Sequence, residues 1–155
     1  IKLIIDGGKS MVGIESTVID ISNKKTKILR HGGISEESIN ELLKIHKKEI
    51  NIKVISPGLS HSHYKPDKPI RINATRPREG EAWLAFGKKP DYFYGISLTL
   101  SEKKCLDESA KNLYKMLRLL DKKNVKSIAI QKIPEKGIGL AINDRLRRAA
   151  FIKDK

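Results

Sequence analysis

The chain has 155 residues, a net charge of +14 and a pI near 9.9, with 39% apolar and only 5% aromatic residues. That is enough for one ordinary domain or two small ones, with a core built mostly of Ile, Leu, Val and Ala. A single cysteine, Cys105, excludes an internal disulfide and a multi-thiolate metal site, and no apolar run approaches the ~18 residues of a membrane span; these features together predict a soluble, cytoplasmic protein with no membrane partner.

In chain order, Leu3, Ile4 and Ile5 read as a buried strand ending at Asp6-Gly7-Gly8. With Ile1 in first place and no initiator methionine, the sequence reads as a piece of a longer chain. STVIDI (16–21) and KTKILR (25–30) flank a Ser-Asn-Lys turn and predict a β-hairpin, stopped by His31-Gly32-Gly33. Ser35 fits a helix N-cap followed by Glu36 and Glu37, and Ile39, Leu42, Leu43 and His46 recur at helical spacing to about Lys48. NIKVIS (51–56) predicts a short strand, and the proline-rich PGLSHSHYKPDKP (57–69) reads as a linker.

Beyond the linker, RINAT, EAWLAFG (81–87) and GISLTLS (95–101) are strand candidates. Leu106, Ala110, Leu113, Tyr114, Leu117 and Leu120 form one stripe of a helix. KSIAIQKI (126–133) has the continuous apolar character of a strand buried on both faces, and LAINDRLRRAA (140–150) closes the pattern as a helix. The alternation predicts a small parallel α/β sheet. The organisation expected is therefore 1–55, a linker at 56–70, and 71–155.

Several local features carry chemistry, each with a plainer alternative. Gly13 and the Ser16-Thr17 hydroxyls in VGIESTVIDI suit a small zwitterion or a phosphate, or are ordinary strand-start residues. Arg30 before two glycines suits a guanidinium aimed at phosphate, or is an exposed arginine ahead of a turn. His61 and His63 invite a metal, but zinc needs three or four ligands and neither cysteine nor an acidic cluster lies near them in sequence. The DGG and HGG turns match neither the P-loop nor the dinucleotide fingerprint. Cys105 reads as a small apolar residue. Arg145, Arg147 and Arg148 read as a solvated helix face, with a phosphate patch as the alternative. The charge favours polyanionic partners, although 24 of the 32 basic residues are scattered lysines and a lysine-biased surface explains them equally.

Three runs in order, IDGG-x4-GIESTVID-x7-ILRHGGI, SPGLSHSHYKPDKP and GIGLAINDRLRRAA, resemble the two-domain form of threonylcarbamoyl-AMP synthase. The resemblance implies the fold: a partial YrdC-like α/β domain (1–55), a gating linker (56–70), and a small C-terminal Rossmann-like accessory domain (71–155). It also implies the reaction, in which L-threonine, bicarbonate and ATP give threonylcarbamoyl-adenylate and pyrophosphate on the way to threonylcarbamoyladenosine in tRNA. Carried over by residue, Ser16 matches the threonine-binding serine, Arg30 an ATP-binding arginine, and Tyr64 the linker tyrosine that closes over the nucleotide. His63, Tyr64 and Pro66 match the linker gate. ATP and Mg2+ are implied as ligands, with no tightly bound cofactor.

Two departures stand out. The family's Arg-Pro-Gly is Arg30-His31-Gly32 here, and its Lys-x-Arg triphosphate pair and Ser-x-Asn run have no counterpart, being expected upstream of Ile1. Catalytic residues are thus unassigned, and this chain alone is expected to be inactive. The alternatives are a non-catalytic basic module that binds tRNA or double-stranded RNA, and a non-functional remnant.

Overall fold

The computed structural model describes residues 1–8, 10–22, 26–43 and 65–150. Its elements are β1 (Val18–Asp20), β2 (Lys27–Arg30), α1 (Glu36–Leu43), β3 (Ile70–Ala74), β4 (Glu81–Ala85), β5 (Ser97–Thr99), α2 (Leu106–Asp121), β6 (Ser127–Gln131) and α3 (Gly139–Ala150). The expected hairpin is present: β1 pairs antiparallel with β2, with a register irregularity between Val18 and Ile19. Ser35 caps α1 by accepting the Ser38 amide on its hydroxyl, 3.2 Å away.

The expected parallel sheet is also present, in the order β3-β6-β4-β5 with every pairing parallel. β6 lies between two neighbours, which explains its unbroken apolar run: Ile128, Ala129 and Ile130 are all fully buried. The two-residue period divides the core. Ala82, Leu84, Ile128 and Ile130 face Ala110, Leu113, Leu117, Ile142 and Leu146 of the helices. Ala74, Trp83, Ala85 and Ala129 occupy the opposite face, where Phe93 packs on them.

Two crossovers depart from the helical kind: residues 86–96 join the parallel neighbours β4 and β5 without a helix, and the return from β3 to β4 is shorter still. β3 and β4 flank β6, yet residues 75–80 connect them without a helix. Charge closes this short return. Arg71 Nε donates to Glu81 Oε1 at 3.0 Å and its Nη2 donates to both the Arg76 carbonyl and Glu81 Oε2. Glu81 also accepts the Arg78 amide and the Ser127 hydroxyl. The Arg71 hydrogen bond, reinforced by the Arg78 amide, outweighs burial and holds the Glu81 carboxyl down at about 2.

Two expectations fail. Leu3, Ile4 and Ile5 form no strand and are exposed, because among the described residues no strand pairs with them. Cys105 is exposed at the start of α2 and is not a packed apolar residue: its amide is fixed by the Ser101 hydroxyl, which leaves its side chain outside the core. The expected strand at 51–56, the end of α1 beyond Leu43, and His46 and His61 lie outside the described residues.

Candidate functional site

The hairpin brings Ser16 and Arg30 together. β1 and β2 align Val18 with Arg30, so the guanidinium reaches back along the neighbouring strand. Arg30 Nε and Nη2 both donate to the Ser16 carbonyl, at 3.3 and 3.1 Å. Ser16 is exposed and Arg30 half-buried, so the pair stands at the surface.

The turn after Arg30 closes on the same segment. The Gly33 amide donates to the Glu15 carbonyl at 3.0 Å. The Thr17 hydroxyl donates to the Ile34 carbonyl at 2.6 Å and accepts the Ile34 amide at 3.2 Å. Gly32 explains the glycine in this turn: a Cβ there would stand 2.3 Å from the Ser16 carbonyl carbon and the Thr17 nitrogen. The backbone of 15–17 and the HGG turn therefore lie in direct contact, with His31 in the place of proline.

The other side of the segment is set into the helices. A Cβ on Gly13, whose φ is +75°, would fall 2.4 Å from the Lys111 Cα of α2. Ile14 is buried in the core with Ala110 and Leu113. Glu15 then accepts from Arg145 Nε at 3.0 Å and from the Tyr114 hydroxyl at 3.1 Å. Arg145 also donates through Nη1 to Asp144, which in turn takes both a Nε and a Nη2 bond from Arg148. Only 5% of the Arg145 side chain is exposed.

This network shifts each of its acids and the phenol. Burial raises the Glu15 carboxyl, but its own backbone amide, the Arg145 charge and the hydrogen bonds from Arg145 and Tyr114 prevail and leave it lowered. Asp144 is likewise lowered, with the Arg148 and Arg145 interactions overcoming burial. Burial and then the Glu15 charge push the Tyr114 phenol upward.

The reading of Arg145, Arg147 and Arg148 as a solvated face is therefore corrected. Arg145 is buried in an ion-pair network, Arg148 is bound to Asp144, and Arg147 alone is well exposed, paired with Glu135. Glu15 was missed by sequence reasoning, and Tyr114 was read only as part of a helix stripe and Arg145 as part of a solvated face. A signal was present: Arg145 recurs at helical spacing with Ala141, Ile142, Leu146 and Ala149, which are buried in α3 along with Gly139 and Asn143, so it falls on the apolar stripe.

Of the residues expected to form the linker gate, Pro66 is described and His63 and Tyr64 are not. Pro66 is buried and lines a cleft of about 190 Å³ with Lys65, Tyr114, Leu117, Arg118 and Asp121. The Asp121 carboxylate accepts the Asp67 and Lys68 amides at 3.3 and 3.0 Å, which fixes the chain just before β3 to the last residue of α2. Pro66 is not joined to Ser16 directly; Tyr114 lies between, lining the cleft and bonded to Glu15. A second cleft, of about 240 Å³ and largely apolar, is lined by Thr17, Ile19, Ile34, Ile39, Leu42 and Leu43.

The family described as "Threonylcarbamoyl-AMP synthase, C-terminal domain" matches residues 34–151. The chain belongs to this family. Two relatives, both named threonylcarbamoyl-AMP synthase, come from Pyrococcus abyssi and Bacillus subtilis. Each is 33% identical to this chain; the alignments cover 97% and 95% of it but only 49% and 48% of the relatives. A relative of the same name from Schizosaccharomyces pombe is 31% identical over 98% of the chain and 46% of its own length. The chain thus spans about half the length of the threonylcarbamoyl-AMP synthases it matches.

Solved structures agree. P. abyssi Sua5 complexed with L-threonine superposes with a TM-score of 0.77 at 29% identity, over 97% of this chain and 49% of that one. A variant of the same protein, with an adjacent histidine and tyrosine replaced by alanine, gives 0.65 at 29% identity over 94% and 45%. The mixed α/β architecture expected from sequence is that of these threonylcarbamoyl-AMP synthase structures.

Proposed function

We propose that this chain is the C-terminal part of an enzyme that makes threonylcarbamoyl-adenylate from L-threonine, bicarbonate and ATP. In this reading residues 1–55 are the tail of the catalytic domain, 56–70 the gating linker and 71–155 the accessory domain. Ser16 contacts L-threonine, Arg30 and Tyr64 contact ATP, and His63, Tyr64 and Pro66 form the gate. The protein acts in the cytoplasm.

The observation that carries this reading is the Arg30 fork on the Ser16 carbonyl, which sets a guanidinium and an exposed serine side by side at a turn where glycine allows close approach. A guanidinium neutralises phosphate, and a hydroxyl can donate to the threonine carboxylate or accept from its ammonium. Support for the linker roles comes from the solved variant altered at an adjacent His-Tyr pair, a dipeptide that occurs once in this chain, at His63-Tyr64. Among the described residues no group of three His, Cys, Asp or Glu side chains could hold a metal ion by itself, so Mg2+ would be held chiefly by the phosphates of ATP and by water. No step is assigned to a metal here.

One arginine and one serine are too few to position a triphosphate for attack, since adenylyl transfer depends on several fixed charges around the phosphates. This chain incubated with ATP, L-threonine and bicarbonate is expected to release no pyrophosphate. Joined in frame to an upstream half that carries a Lys-x-Arg pair, it is expected to do so, and to lose the activity on Arg30→Ala. Release by this chain alone at the rate of the two-domain enzymes would refute the division of labour.

The net charge of +14 favours a second reading, a basic surface that holds tRNA. A gel shift with tRNA that weakens steeply as salt rises supports it; no shift at low salt removes it.

A further inference from the structure

The segment that carries Ser16 faces two ways. Its residues 13–15 are set among the helices: the Gly13 backbone against that of Lys111, the Ile14 side chain in the core, and Glu15 on Arg145 and Tyr114. Its main chain and Thr17 hold the other side: the Glu15 carbonyl takes the Gly33 amide, the Ser16 carbonyl takes Arg30, and the Thr17 hydroxyl takes the Ile34 amide. A displacement of Glu15 is therefore passed directly to Ser16 and Arg30.

We propose that Arg145 is a positioning residue of the Ser16–Arg30 site, acting through Glu15, and that α2 and α3 serve as its support. Stability alone is a weak reason for this arginine. A buried ion pair gains little over a packed apolar side chain, and Arg145 sits on the apolar stripe of α3 where Leu or Met would fit the pattern. Its Nη2 is also buried without a hydrogen-bond partner. What the planar fork achieves is geometric: Nε holds Glu15 while Nη1 holds Asp144, so the carboxylate beside Ser16 is fixed relative to α3. Reactive groups tolerate displacements of about 1 Å poorly, so a support of this kind matters at a substrate contact.

The functional weight of this inference rests on Ser16 and Arg30 being substrate contacts, as proposed above. The coupling itself is testable without substrate, so either idea can fail while the other stands. Isotope-labelled protein with Arg145→Met, Glu15→Gln or Arg145→Lys is compared with the parent by NMR. The reporters are amide exchange at Gly33 and Ile34 and the Arg30 Nε–H resonance. The Leu100 amide, bonded to the Ala85 carbonyl, and the Ile128 amide, bonded to the Pro69 carbonyl, serve as controls.

Arg145→Met and Glu15→Gln are expected to speed Gly33 and Ile34 exchange roughly tenfold or more and to move the Arg30 resonance, with both controls unchanged. Arg145→Lys, which keeps the charge but not the fork, is expected to restore part of the protection. Unchanged exchange at Gly33 and Ile34, or equal acceleration at all four amides, would overturn the proposal. Should Arg145→Met fail to fold, Glu15→Gln leaves the Arg145–Asp144 pair in place and gives the same decision.

Discussion

In residues 65–150 the central strand β6 has fully buried side chains on both faces, and the helical stripes of α2 and α3 close over one of them. In residues 1–43 the hairpin and α1 bury little of their own. Ile19, Ile34, Leu42 and Leu43 surround an open apolar cleft, and Ile1, Leu3, Ile4 and Ile5 are exposed. The two regions have similar residue types but different numbers of neighbouring elements. Burial follows from the neighbours: an apolar strand without a paired strand beside it stays in water however well its sequence suits a core. The second region meets the first at Gly13, Ile14 and Glu15 and at Glu37, whose carboxylate accepts the Gly137 amide.

The largest expected effect breaks the first region. Ile130→Ala removes a fully buried side chain from the central strand and should cost about 2–5 kcal/mol. Urea unfolding followed by the fluorescence of Trp83, the one tryptophan, reads it out; a loss below about 1 kcal/mol would show that the sheet is not the stabilising unit.

Acid tests the same region at its short crossover. The Glu81 carboxyl is held at about 2 in the fold, below its ordinary 4.5, so its contribution is present above pH 4.5 and is lost as pH falls through 2. The loss is up to about 3 kcal/mol. Glu81→Gln should flatten stability across that window, and an unchanged acid slope would remove the Arg71–Glu81 pair from the account. The smallest effect is in the second region. Leu42→Ser should change stability by less than about 0.5 kcal/mol, because Leu42 is 80% exposed. A loss above about 1 kcal/mol would mean that the cleft is covered in solution.

Most of the sheet was legible because its strands and helices carry clean periods: EAWLA alternates between two buried faces, and α2 keeps its stripe from Ala110 to Leu120. IKLII misled because apolar content reports willingness to be buried, not the presence of a partner. The helix-free return from β3 to β4 was invisible because it depends on Arg71 finding Glu81, a side-chain contact without a sequence period. The meeting of Ser16 and Arg30 followed from the hairpin register. Arg145 was misread because three arginines in four residues look like a wet face until the positions are projected on the helix. Its partner Glu15 lies 130 residues away, beyond any local pattern.

Ile14 has a consequence for how this chain can be cut and recombined. It lies far upstream of β3 in sequence, yet its side chain belongs to the core formed with Leu113, Leu117 and Ile142. A shorter chain starting at Lys65 would inherit the complete sheet together with an empty socket at Ile14 and a buried Arg145 deprived of one of its two carboxylates. Transplanting the Rossmann-like unit intact therefore means carrying a short peptide from far upstream, because the packed unit is discontinuous in sequence though continuous in space.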